Sequence, residues 1–142
     1  REAPVRRGWG LNNRSSMVRV PVAMTPEGTR IELRSPDATG NVYLQFATYI
    51  AMGLAGIEQQ TDCGSPDAGS TYDMATEQGR IRDERYLPRD IFEALLEAEN
   101  SEFLRELLGP ALFKNYIALV MEDWQYHRAH VTDRERKRYM SI

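Results

Sequence analysis

The chain has 142 residues, of which 42% are hydrophobic, and this is enough to bury the core of one compact domain or of part of one. Its 18 basic and 21 acidic residues are scattered and give a net charge of −3, so we expect neither nucleic acid nor a membrane as a partner. Cys63 is the only cysteine and the first residues lack the apolar core of a secretory signal, so we expect a cytoplasmic location.

The first elements predicted along the chain are a loop and a β-hairpin. Residues 1–16 are rich in Gly, Asn, Ser and Arg and show no periodicity, which predicts a loop. Apolar residues alternate with other residues over 17–24 and again over 30–34, which is the period-two pattern of half-buried strands. Residues 25–28 are Thr-Pro-Glu-Gly, a sequence that suits a type I turn between the two strands.

A long apolar helix and a long polar segment follow the hairpin. Residues 41–58 carry apolar side chains at helical spacing and on other faces too, which predicts a helix buried inside the domain. Residues 61–86 are polar and form a longer segment than most loops within a domain, so this segment is either functional or mobile.

The last part of the chain, residues 87–142, is predicted to be helical. Gly109 and Pro110 interrupt the helical pattern, and Thr132 with Glu135 has the spacing of a capping box that starts a last helix. Between these points runs an amphipathic stripe that we expect to lie in the core. The stripe consists of Leu112, Phe113, Tyr116, Ile117, Val120, Met121 and Trp124.

These elements predict an α+β fold. The loop, the antiparallel hairpin and the buried helix occupy residues 1–60, the polar loop occupies 61–86, and the C-terminal helices of the same domain occupy 87–142.

The charged face of the hairpin is the clearest candidate for function. With a turn at residues 25–28, Arg19 is predicted to lie opposite Arg34 and Pro21 opposite Glu32, while the valines face the core. A solvated sheet face is the usual role of such alternating charges. The alternative is a site for phosphates or carboxylates, because facing arginines destabilise a hairpin unless an anion or carboxylate lies between them.

Several motifs, taken in order, resemble one protein family. They are EAPV at residues 2–5, NRSSMVRVP at 13–21, RIELRSPD at 30–37 and NVYL at 41–44. Together they resemble the C-terminal part of the catalytic domain of bacterial and archaeal glutamine synthetases, and weaker similarity continues to Tyr139. Each motif is weak alone, but their common order and spacing extend over essentially the whole chain.

The resemblance implies roles for five residues. Glu2 and Arg14 would be catalytic: Glu2 would be the flap glutamate that closes over the glutamate site, and Arg14 would touch both glutamate and the transferred phosphate. Arg14 and Arg19 would bind ATP, with Arg19 at its phosphates. Glu2, Arg14 and Arg34 would bind the substrate glutamate. Glu32 would be a ligand of the catalytic divalent metal ion.

The same resemblance implies a reaction, its cofactors and an assembly. The enzyme would be an ATP-dependent ligase that joins ammonia to the γ-carboxylate of glutamate through γ-glutamyl phosphate, with ATP and Mg²⁺ or Mn²⁺ as cofactors. It would be a homo-oligomer, built as a ring-based dodecamer. The other metal ligands of the family lie upstream of these motifs, so we expect the 142 residues alone to be inactive.

Alternatives to this reaction stay open. Glu27 stands where many family members carry a lysine near ATP, and some relatives that join glutamate to amines other than ammonia are also less conserved at that lysine. The second hypothesis is therefore a γ-glutamyl ligase for a small organic amine, and the third is a non-catalytic relative. Tyr86 is somewhat similar to a tyrosine that certain members adenylylate, although an ordinary loop tyrosine is the favoured interpretation.

Overall fold

The computed structural model describes residues 3–72 and 86–140. The chain forms two compact units, Arg1–Leu87 and Pro88–Ile142. The first unit contains strands and one long helix and the second contains helices, which confirms the predicted α+β class. The predicted grouping of residues 1–60, 61–86 and 87–142 into a single domain stays a prediction.

The first unit contains a three-stranded sheet with strand order β1-β2-β3. Strand β2 (Val18–Val20) pairs antiparallel with β3 (Glu32–Leu33), so the predicted hairpin is present, although both strands are shorter than predicted. Strand β1 (Trp9–Leu11) runs parallel to β2 and lies inside the segment predicted to be a loop. The loop prediction was wrong there because three residues, one of them glycine, are too few to show a strand pattern.

The predicted register of the hairpin was wrong by two residues. Arg19 lies opposite Glu32 rather than opposite Arg34, and the N–H of Arg34 donates to the carbonyl of Met17 at 2.9 Å. Pro21 has no N–H to donate, so the strand ends at Val20 and the turn does not set the pairing. Because side chains alternate with a period of two, the slip leaves the same residues on the charged face.

A short 3₁₀ helix, Pro26–Gly28, forms the connection between β2 and β3. The N–H of Gly28 donates to the carbonyl of Thr25 at 3.0 Å, which is the hydrogen bond expected of the predicted turn. Arg30 lies before β3, and its guanidinium donates to the carbonyl of Gly28 at 3.1 Å. The guanidinium group of Arg30 is therefore held at the turn.

Helix α1 (Val42–Glu58) has the predicted position and begins at an N-cap, Asn41, whose side chain accepts hydrogen bonds from the next turn. Its predicted burial is wrong for this chain, since Tyr43, Phe46 and Ile50 are 81%, 63% and 63% exposed. No other helix or strand of the described residues packs on α1. The sequence pattern predicted the apolar faces of α1, but it does not show which residues would cover them.

The second unit contains helices α2 (Ile91–Glu99), α3 (Glu102–Ala129) and α4 (Asp133–Tyr139). Gly109 has φ 71° and ψ 161°, so α3 is kinked where Gly-Pro was predicted to interrupt it. Within the described ranges, no helix combines the length and the hydropathy that crossing a membrane requires.

The buried core of this unit lies between α2 and α3. Leu95 of α2 packs with Phe113 and Ile117 of α3, and the ring of Phe92 stacks on Trp124 at 5.7 Å. Leu112 and Tyr116 were predicted to join this core but are 46% and 40% exposed. They lie on flanks of the stripe that a single partner helix does not cover. The partly buried residues around the core are Ala98, Leu104, Leu108, Val120, Met121 and Trp124.

The predicted capping box at the start of α4 is present. The hydroxyl of Thr132 accepts from the N–H of Glu135, and the carboxylate of Glu135 accepts from the N–H of Thr132 at 2.8 Å. Hydrogen bonds from the Thr132 backbone and then from its hydroxyl hold the pKa of Glu135 below its ordinary value. The carboxylate is therefore charged at neutral pH, as the cap requires.

We expect Phe113→Ala to lower the free energy of unfolding by about 3–5 kcal/mol, because it empties the centre of the core between α2 and α3. Urea denaturation of the purified protein measures this change. Asn115→Ala, an exposed position two residues along the same helix, is the control and should change stability by less than about 0.5 kcal/mol or raise it slightly. Equal unfolding free energies for the two variants would contradict the assignment of this core.

Candidate functional site

A carboxylate between two arginines forms the centre of the charged face. Arg19 Nη1 lies 2.7 Å from Glu32 Oε2, and Arg34 Nε lies 3.6 Å from Glu32 Oε1. Each arginine side chain is 15% exposed and that of Glu32 is 42% exposed, so the carboxylate opens toward solvent while the guanidinium groups are mostly covered. The prediction that an anion or carboxylate lies between the two arginines agrees with this geometry, in which the carboxylate is that of Glu32, although Arg19 and Arg34 are not opposite each other.

Arg19 is held from a second side by the loop that follows β1. Its Nη2 donates to Asn12 Oδ1 at 2.7 Å, and Asn12 has φ 51°, a left-handed conformation that asparagine tolerates. The Nε of Arg19 is buried and has no hydrogen-bond partner among residues 3–72 and 86–140. A buried donor of this kind is costly, so its presence is more typical of a binding site than of a structural ion pair.

The neighbouring turn presents Arg14. Asn13 Oδ1 accepts hydrogen bonds from the N–H and the hydroxyl of Ser15 at 2.9 and 2.8 Å, which closes a turn with the exposed Arg14 at its tip. Ser16 follows, and its carbonyl accepts from Arg34 Nη1 at 3.3 Å. Local hydrogen bonds therefore bring Arg14 and Arg34 to the same region.

Residues 61–72, here named the strap, cover the edge of β1 and the Arg14 turn. The N–H of Asp67 donates to the carbonyl of Trp9 at 2.7 Å, and Asn13 Nδ2 donates to the carbonyl of Gly69 at 2.8 Å. Thr71 is 2% exposed; its N–H donates to the hydroxyl oxygen of Ser15 at 2.8 Å, and its hydroxyl donates to the carbonyl of Ser15 at 2.7 Å. Residues 61–72 of the predicted polar segment therefore contact the elements that carry the site, although no site residue was predicted among them; a functional role for the segment stays a prediction.

These elements enclose an open cleft of about 830 Å³ in the first unit. Four of the five predicted site residues, Arg14, Arg19, Glu32 and Arg34, line it together. The fifth, Glu2, lies outside the described residues. The other lining residues are Leu11, Asn13, Ser15, Asp67, Gly69, Ser70 and Tyr72.

The chemistry of the cleft suits anions and one hard cation. Three guanidinium groups can hold phosphate or carboxylate oxygens in bidentate geometry, and two carboxylates, Glu32 and Asp67, limit the net positive charge. Glu32 can give a divalent cation one oxygen ligand of the kind that Mg²⁺ prefers. No group of three His, Cys, Asp or Glu side chains in the described part of the chain could hold a metal ion, so Glu32 would act with ligands from elsewhere.

Comparisons with known proteins agree with this chemistry. The family model for the catalytic domain of glutamine synthetase matches residues 1–139. The glutamine synthetase of Methanosarcina mazei is 39% identical over 141 residues, and that of Mycolicibacterium smegmatis is 38% identical over 144 residues. These alignments cover 99% of the chain. The chain therefore belongs to the glutamine synthetase catalytic-domain family, as the motifs indicated.

Solved structures of this type have the same fold. The chain aligns with the GmaS/ADP complex at a TM-score of 0.80 and 31% identity, and with GmaS without ligand at 0.77 and 32%. The alignments cover 99% of this chain but 30% and 31% of the GmaS chains. The chain also spans 31% and 32% of the two glutamine synthetases, so it represents about a third of the length of its relatives.

We expect Gly10→Ala to destabilise the first unit by about 1–3 kcal/mol, as overpacking does in a close-packed region. A Cβ at Gly10 would lie 2.7 Å from Asn13 Cβ and 2.7 Å from Ser16 Oγ, the two residues that flank the Arg14 turn. Gly53→Ala in α1 is the matched control, because nothing lies within 4 Å of its Cβ. Urea denaturation should show a loss for the first variant only, and equal stabilities would contradict the close packing.

Proposed function

We propose that the protein is an ATP-dependent ligase that joins ammonia to the γ-carboxylate of glutamate through γ-glutamyl phosphate. The observation that supports this most is the cleft itself, where Arg14, Arg19 and Arg34 surround Glu32 in a chain of the glutamine synthetase family. A ligase of this type must bring two anions, a nucleotide triphosphate and a carboxylate, into contact. Guanidinium groups on one wall lower the repulsion between them.

The proposed roles follow the positions of the side chains. Arg19, fixed by Glu32 and Asn12, is proposed to bind the phosphates of ATP with its covered guanidinium. Arg34, on the other side of Glu32, is proposed to bind glutamate. Arg14 is exposed at the tip of its turn and is proposed to contact both glutamate and the phosphoryl group in transfer. Similarity to a GmaS structure in complex with ADP supports nucleotide binding.

The proposed reaction has two steps that these residues assist. A γ-carboxylate oxygen of glutamate attacks the γ-phosphorus of ATP and ADP leaves; the nitrogen of ammonia then attacks the acyl carbon, and phosphate leaves. The arginines bind and orient both anions, and Glu2 is proposed to close the site against water. A divalent ion bound by Glu32 would supply charge neutralisation at the γ-phosphate. We further propose a homo-oligomer as the active assembly.

A small organic amine is the second candidate acceptor, and the charge of residue 27 favours it. Glu27 is exposed on the 3₁₀ helix, and hydrogen bonds from its backbone and from Thr25 hold its pKa below the ordinary value. A negative charge therefore stands where the family resemblance places a lysine near ATP. Because of this difference, a direct comparison of ammonia with small organic amines is needed to identify the acceptor.

We expect the purified full-length protein to release phosphate from ATP only when glutamate and ammonia are both present. A phosphate-release assay with ammonia and with a panel of small primary amines separates the two acceptors, because the correct one gives the higher kcat/KM. Preference for an organic amine would replace ammonia in the proposal. Absence of glutamate-dependent release under all conditions would instead favour a non-catalytic relative.

We expect Glu32→Gln to shift the Mg²⁺ or Mn²⁺ concentration needed for half-maximal activity upward by about 10–100-fold, the effect typical of altered metal-site residues. Its free energy of unfolding should change little, because the amide oxygen of the glutamine still accepts a hydrogen bond from Arg19. Glu58→Gln, an exposed position at the end of α1, is the control. An unchanged metal dependence in Glu32→Gln would refute the proposed ligand role.

A further inference from the structure

Asp67 lines the cleft and carries a carboxylate, but it belongs to none of the family motifs found in the sequence. It lies on the strap rather than on the sheet. Its Oδ2 accepts a hydrogen bond from the hydroxyl of Ser16 at 2.8 Å. Ser16 is 1% exposed, so water cannot easily replace this hydrogen bond. The contact joins residues 51 positions apart in the chain.

Ser16 connects this carboxylate to the arginine wall. While its hydroxyl donates to Asp67, its carbonyl accepts from Arg34 Nη1 at 3.3 Å. The side chain of Ser16 is thus held from the strap, and its backbone holds the guanidinium of Arg34. A shift of Ser16 would move the hydrogen-bond acceptor that orients Arg34.

Two further contacts fix the position of Asp67. Its N–H donates to the carbonyl of Trp9 at 2.7 Å, which ties the strap to the edge of β1. Its carboxylate lies against Gly8, where an added Cβ would be 2.6 Å from Oδ2 and 2.8 Å from Oδ1. Only a residue without a side chain leaves room for the carboxylate here, so glycine at position 8 and aspartate at position 67 are matched.

We propose that Asp67 is a positioning residue: through Ser16 it holds Arg34 in the wall of the cleft, where the carboxylate of the substrate binds. Arg34 makes a direct contact with the ligand, and Asp67 acts through Ser16 without touching the ligand. The identity of that substrate as glutamate rests on the proposed function. The role of Asp67 in holding an anion-binding arginine rests on the contacts alone.

The test compares Asp67→Ala, Ser16→Ala and the double variant in the full-length protein. We expect each single change to raise the KM for glutamate about tenfold, within the range caused by small misplacements of a binding group, and to change kcat little. The KM for glutamate should rise no more in the double variant than in either single variant, because both changes break the same connection. Asp67→Asn should lose less than Asp67→Ala, since its amide oxygen still accepts from Ser16.

Asp62→Ala is the matched control, because Asp62 is an exposed acid of the same strap whose carboxylate accepts from the N–H of Gly64 and makes no contact with Ser16 or Arg34 in the described part of the chain. It should leave the KM for glutamate unchanged. The proposal would be overturned if the KM for glutamate rose as much in Asp67→Asn as in Asp67→Ala while it stayed normal in Ser16→Ala. Asp67 would then act by its charge. Additive losses in the double variant would overturn the proposal as well, as would a normal KM in Asp67→Ala.

Binding of glutamate, measured by calorimetry, separates this proposal from the proposed function. We expect Asp67→Ala and Ser16→Ala to weaken glutamate binding in parallel, while Asp62→Ala does not. A parent protein that binds glutamate but shows no glutamate-dependent turnover would sink the ligase proposal and leave the positioning role supported. Normal turnover with glutamate affinity unchanged in Asp67→Ala would sink the positioning role alone.

Discussion

The carboxylate of Glu32, placed between the guanidinium groups of Arg19 and Arg34, is the interaction around which the candidate site is arranged. Two cationic side chains on one face of a two-stranded pair repel each other, and the carboxylate offsets that repulsion. Because Glu32 is partly exposed, it keeps lone pairs available for a cation while the arginines keep donors available for anions. These lone pairs and donors underlie the roles proposed for the three side chains.

Hydrogen bonds rather than apolar packing hold the residues around Arg19, Glu32 and Arg34 in place. The buried side chains of the first unit include Ser15, Ser16 and Thr71, whereas the buried apolar cluster of the described residues belongs to the second unit. A polar network of this kind is stable only while each member keeps its partner, because an unpaired buried group costs about 1–3 kcal/mol. The strap is thus part of the site, although only some of its side chains reach the cleft.

Helix α1 shows how far the chain depends on its context. Its apolar side chains at 43, 46 and 50 are each more than half exposed. The chain also spans about a third of the length of its relatives. The position of α1 and its N-cap follow from the local sequence. Burial of its apolar side chains would require contacts that the described residues do not make.

The sequence by itself determined the features that depend on neighbouring residues. The cap at Thr132, the break at Gly109 and the alternation around β2 and β3 all arise from contacts within a few positions, and each was predicted. Family resemblance added the four charged residues that line one cleft. Only the tertiary structure decided that Arg19 pairs with Glu32 and that β1 runs parallel to β2. It also decided the position of Asp67, whose carboxylate lies against Gly8 and accepts a hydrogen bond from Ser16. These features join segments up to about fifty residues apart, and no local pattern encodes which distant hydrogen-bond partners will meet.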